Sequence, residues 1–176
     1  ALLKFKGINW KHRKQDGFGV AFVGHKETTE ELKAKDPMVP LAGFGTALNA
    51  SMRFSGSRAT LVLQNLMKKP DAFLGGQKVT LAGDFTAPLV YLYRNEKKED
   101  TMERLLGLLW PANYESLTRL FSLEPFNKDK IPLILVHGLM SNAQMWMPFI
   151  DHVRNDPVIR ARYQIITFIY PSGNSI

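Results

Sequence analysis

Cysteine is absent from the chain. That excludes a disulfide framework, thiolate metal sites and a cysteine nucleophile, and it leaves the redox compartment open. Histidine is sparse: His12, His25, His137 and His152 stand apart, without zinc-like pairing, and no H-E-x-x-H occurs. Nucleotide signatures are missing as well. "GFG" at 17–19 and at 43–45 lacks the third glycine of a dinucleotide loop, and there is no P-loop. No metal and no cofactor are therefore expected. Long hydrophobic runs are lacking too: none approaches the roughly 18 residues that span a bilayer. The start, "ALLKFKGINWKHRK", holds no apolar stretch long enough for a secretory signal, so none is expected in this form. Adjacent carboxylates such as Glu30-Glu31 and Glu99-Asp100 sit in charged runs and read as solvated faces, not acid/base pairs.

What is present is 176 residues with 45% hydrophobic and 22% charged side chains, enough for one ordinary domain or two small ones. Net charge is +7, and basic residues gather in "LKFKGINWKHRK". No nucleic-acid motif or aromatic-interleaved basic groove accompanies them, so nucleic acid is not expected as a partner. Contact with a membrane surface stays open.

Residues 1–127 read as a β-rich region with helices near 86–121. "GFGVAFV", "ASMRFS", "ATLVLQN" and "KVTLA" are short runs bounded by turn residues, and Gly75-Gly76 between two of them marks a reversal. "KETTEELKAK" fits a short exposed helix. In "DFTAPLVYLY" Thr86 can cap a helix with Pro88 in its first turn. "TMERLLGLLW" and "YESLTRLFSL" continue helical, before "EPFNKDK" makes a linker. After it, "IPLILVH" lacks alternation, as expected of a parallel strand covered on both faces. A helix follows, with Ser141 or Asn142 near its cap and Trp146, Phe149, Ile150 and Val153 on one stripe. Asp156 and Pro157 open the next helix, and "YQIITFIY" is a second buried strand. Strand, glycine turn, helix and strand make a βαβ unit, so residues 128–176 are expected to begin an α/β domain with a parallel sheet.

The turn at His137-Gly138 carries the chemistry. Acyl transfer places negative charge on the former carbonyl oxygen, and two preorganised main-chain N–H groups are the usual answer. A strand stopping at His-Gly before a helix can expose them. Leu139 and Met140 are the candidate oxyanion donors. His137 is expected to orient the loop by hydrogen bonding, not to act as base, and Gly138 to allow close approach.

The longer stretch "KIPLILVHGLMSNAQMWMPFIDHVRNDPVIRARYQIITFIYPSGNSI" resembles a bacterial α/β-hydrolase family of lipase/esterase type. Lys130, Ile131, Pro132, Val136, His137, Gly138, Leu139 and Trp146 carry the match. So do Asp156, Pro157, Arg162, Tyr163, Gln164, Tyr170, Pro171, Gly173, Asn174 and Ile176. "LAGDFTAPLVYLY" and "LGLLWP" look like the upstream region of the same proteins. Ser175 departs from the proline usual there.

The resemblance implies an α/β-hydrolase parallel sheet and a serine hydrolase acting on ester bonds. It also implies a G-x-S-x-G elbow after the "YPSGN" turn, then an acid and a histidine. No serine here has glycine two positions away on both sides; Ser57 and Ser172 read as turn serines. No catalytic triad residue is assigned in this chain, which alone is expected to be inactive. The expected partners are an ester or lipid-like small molecule and the remainder of the hydrolase polypeptide. The alternative is a non-catalytic binding or interaction module. The compartment, cell envelope or cytoplasm, is not fixed.

Overall fold

The computed structural model describes residues 11–40, 43–95, 118–138 and 143–170. In chain order the first half holds β1 (Lys14–Gln15), β2 (Val20–Lys26), α1 (Glu30–Lys35), β3 (Phe44–Ser55) and β4 (Arg58–Asn65). Then come β5 (Asp71–Leu74), β6 (Gln77–Thr80), β7 (Gly83–Asp84) and α2 (Ala87–Asn95). The second half holds β8 (Arg119–Ser122), β9 (Ile131–Val136), a 3-10 turn (Ala143–Trp146), α3 (Met147–Asn155), α4 (Pro157–Arg162) and β10 (Tyr163–Ile169). These fall into two compact units, one from Ala1–Lys26 with Gly45–Tyr91, the other from Glu27–Phe44 with Leu92–Ile176.

In the first unit β2, β3 and β4 form one sheet, in that order. β3 and β4 run antiparallel from Leu48↔Asn65 to Ser55↔Arg58. Their turn uses Gly56 at φ 56°, a conformation costly for a side chain-bearing residue. β5 and β6 pair antiparallel, closed by Gly75 and Gly76 at φ 56° and 81°. Two successive positive φ angles suit a tight hairpin, because that twist matches its strands. Ala47, Leu66 and Leu81 form the small core, with Ala72 and Phe85 against it.

Asn49 is buried in this unit at 1% exposure. Its amide nitrogen donates to Phe18 O at 2.9 Å and Ala82 O at 2.8 Å, tying two distant segments to β3. At α2 Thr86 stands directly before the first turn, the position expected of it. The Ala87 N–H donates to Asp84 Oδ1 at 2.9 Å, whereas the Thr86 hydroxyl accepts from Arg13 N at 3.0 Å. Thr86 still supplies the first helical carbonyl, to Leu89 and Val90.

The second unit centres on a sheet of order β8-β10-β9. β10 pairs parallel with β9, from Tyr163↔Ile131 to Phe168↔Val136, and antiparallel with β8 around Ile166↔Ser122. The Ser122 N–H donates to Met38 O at 2.7 Å, which fixes the segment after α1 to the end of β8. Asp156 caps α4 as its sequence position implies, its carboxylate accepting from Val158 N and Ile159 N. On α3 the inward side chains are Met147, Ile150, Asp151 and Val153, while Phe149 stays 41% exposed.

The expected fold class, an α/β domain opening a parallel hydrolase sheet, is overturned. Strand outweighs helix among the described residues, and it is divided over several small sheets that are mostly antiparallel. The physical reason is connectivity. A parallel pair needs a long crossover; beyond the isolated parallel bridge Phe18↔Leu81, β9 and β10 are joined by one, the helical stretch between them. Short hairpins join β3 to β4 and β5 to β6. Residues 119–122, expected to be helical, form the antiparallel partner of β10. Nor is β9 covered on both faces: Leu135 is buried, but Ile131, Ile134 and Val136 are 49–53% exposed. The expected helix over 101–110 and the "PSGN" turn lie outside the described residues.

Candidate functional site

His137 and Gly138 follow directly on β9, and Tyr170 follows directly on β10. Because the two strands are parallel, their carboxyl ends lie at one edge of the sheet, and the register carries His137 beside Tyr170. The rings stack with centroids 4.5 Å apart and an 8° angle. Three polar contacts lock the pair. The Tyr170 hydroxyl donates to the His137 carbonyl at 2.8 Å, and the Tyr170 N–H points to His137 Nε2 at 3.5 Å. His137 Nδ1 lies 3.1 Å from Gly138 O.

These neighbours select one form of the imidazole. A carbonyl oxygen can only accept, so Nδ1 carries the hydrogen. A backbone N–H can only donate, so Nε2 presents its lone pair. The imidazole thus turns Nδ1 to the Gly138 carbonyl and Nε2 to the Tyr170 N–H. It is also buried, at 4% exposure. Both ring nitrogens are thus engaged within the turn.

Gly138 does not use glycine's special freedom. Its φ is not among the positive ones, and among the described residues nothing lies within 4 Å of where a Cβ would sit. Leu139 and Met140, the expected oxyanion donors, lie outside the described residues, as do Ser141, Asn142 and Ser172. Ser57 sits in the β3–β4 turn beside Gly56. In the sequence Tyr170 stands out only as one residue of the resemblance. Its contact with His137 requires knowing the β9–β10 register, which no local signal gives.

Elsewhere in this unit a cavity of about 10 Å³ is lined by Leu123, Glu124, Val153, Arg154, Arg160, Tyr163 and Ile165. That is room for a water molecule and no ligand. Among the described residues no group of three or more His, Asp and Glu side chains could hold a metal ion. No protein-family model, curated protein or solved structure gives a significant match to the chain.

Proposed function

We propose that this chain supplies the oxyanion-side segment of a serine hydrolase acting on ester bonds of a small or lipid-like substrate. The observation that supports it most is the parallel β9–β10 pairing, which gathers His137-Gly138 and Tyr170 at one sheet edge. Attack of a serine oxygen on an ester carbonyl forms the new C–O bond and moves an electron pair onto the carbonyl oxygen. The main-chain N–H groups of Leu139 and Met140, next in sequence, are the proposed donors to that oxyanion. Each such donor contributes about 3 kcal/mol to the transition state. His137 is a positioning residue here, holding the Gly138 carbonyl and thereby the direction in which the chain leaves the sheet.

The nucleophile, base and acid come from polypeptide not in this sequence, which has no G-x-S-x-G. β9 offers a place for it. Among the described residues it stands at the edge of its sheet, exposing Ile131, Ile134 and Val136, and an apolar edge of this kind recruits a further strand.

The test uses the natural polypeptide that contains this chain, assayed on p-nitrophenyl butyrate and labelled with a fluorophosphonate. Turnover with one labelled serine in a G-x-S-x-G outside residues 1–176 is expected. Tyr170→Phe in that protein should lower kcat more than it raises KM. Absence of both turnover and label refutes the reading. It would leave the second one, a non-catalytic binding module, which draws on the exposed apolar side chains of the β2–β3–β4 sheet.

A further inference from the structure

The sheet β2–β3–β4 has one open face that is apolar across all three strands. On β3 and β4 the register sets Met52 opposite Leu61, Phe54 opposite Ala59, and Ala50 opposite Leu63. Opposed residues share a face, and so do residues two apart along a strand. β2 joins the same face, because a Cβ at Gly24 would run into the Leu48 side chain, and Val20 and Phe22 alternate with Gly24. Six large side chains stand out of it: Phe54 is 72% exposed, and Val20, Phe22, Met52, Leu61 and Leu63 are 52–63% exposed. Contiguous exposed apolar surface rimmed by polar groups marks an interaction site.

Charge decides what fits there. The segments of this unit, 1–26 and 45–91, carry eleven Lys and Arg against three carboxylates, Asp16, Asp71 and Asp84. The rest of the chain carries twelve against thirteen, so this unit is net +8 and the rest net −1. Two of the three carboxylates are already engaged, Asp71 with Lys78 and Asp84 with His12, each at 2.8 Å. Arg53 and Arg58 flank the β3–β4 turn on the opposite face from Phe54, and Lys68 and Lys69 follow β4. All four are exposed and have no ion-pair partner among the described residues. An apolar blade with free cations at its tip is the chemistry of an anionic lipid interface.

We propose that the β3–β4 hairpin, with the open face of its sheet, docks this protein on an anionic phospholipid bilayer. Phe54, Leu61 and Met52 enter the headgroup–acyl boundary, and Arg53 and Arg58 reach lipid phosphates. A second copy of the same sheet would set these cations against their own kind. The inference does not rest on the hydrolase reading, since no residue of the His137 turn takes part.

The experiment is co-sedimentation of the full chain with vesicles of phosphatidylcholine plus phosphatidylglycerol, and with vesicles of phosphatidylcholine alone. Binding to the mixed vesicles only, weakened by added salt, is expected. Each basic residue at an anionic surface contributes about fivefold in partitioning. Arg53→Ser with Arg58→Ser together should therefore cost about 25-fold. Phe54→Ser, losing most of a buried phenyl, should cost about tenfold or more. Both variants alter exposed side chains, so their circular dichroism and melting should match the parent. No binding to mixed vesicles overturns the proposal, and so does equal binding to neutral ones. A dimer that Phe54→Ser dissociates, without vesicle binding, overturns it in favour of self-association.

Discussion

Replacing Tyr170 with phenylalanine removes one hydroxyl and keeps the ring that stacks on His137. The hydroxyl bond to the His137 carbonyl is 2.8 Å long, near the optimum for O–H···O. The other polar link, Tyr170 N–H to Nε2, is 3.5 Å and contributes far less. The hydroxyl therefore dominates. A net hydrogen bond is worth about 1 kcal/mol, and orphaning a well-buried carbonyl adds to that. Tyr170 is half-buried, so water restores part of the loss, and the expected cost is about 1–2 kcal/mol. Urea unfolding should show a lower midpoint at unchanged slope. Side-chain nitrogen NMR of the parent should show the hydrogen of His137 on Nδ1. A stability change within the roughly 0.5 kcal/mol of ordinary surface substitutions, or an Nε2-protonated tautomer, refutes the account of this turn.

Other substitutions probe other links. Asn49→Ala removes two donors from a buried site and relieves an Oδ1 that has no partner among the described residues; thermal melting should record a net loss of about 2–3 kcal/mol. Thr167→Val replaces a 1% exposed hydroxyl with no partner among the described residues, and unfolding should show no loss or a gain of about 1 kcal/mol. Bonds from Ile159 N and then Val158 N, with His152 and Arg160 nearby, hold the Asp156 carboxyl below its ordinary pKa. Its contribution is thus present above the unfolded-state pKa and lost as pH falls through the lower folded one. Asp156→Asn should keep the cap and lose that acid sensitivity in a pH series of melts. Gly138→Ala should leave the melting temperature of the chain unchanged, given its open surroundings and ordinary φ.

Local chemistry was readable from the residues. Gly75-Gly76 turn a hairpin because two positive φ angles are needed there, and Asp156-Pro157 start a helix because the carboxylate and the missing N–H both suit its first turn. Pairing was not readable. "RLFS" looks helical in its own neighbourhood and becomes a strand because β10, 44 residues on, offers it a free edge at Ile166↔Ser122. "IPLILV" is uniformly apolar, as a strand covered on both faces would be, yet among the described residues β9 lies at the sheet edge with Ile134 and Val136 in the open. Asn49 and Tyr170 were missed for the same reason. A polar residue's role depends on partners far away in sequence, and those follow from topology.

The β8-β10-β9 order also sets a timetable for assembly. β5 and β6 meet across two residues, at Leu74↔Gln77, whereas β9 cannot meet β10 until the chain from Val136 to Tyr163 has been closed. Loop-closure entropy puts about 2 kcal/mol between those events, so the small hairpins should gain amide protection early and the central strand late. His137 acquires its ring partner only when β10 arrives. The turn that the proposed chemistry depends on thus takes shape after the small hairpins, and pulsed hydrogen exchange would time it directly.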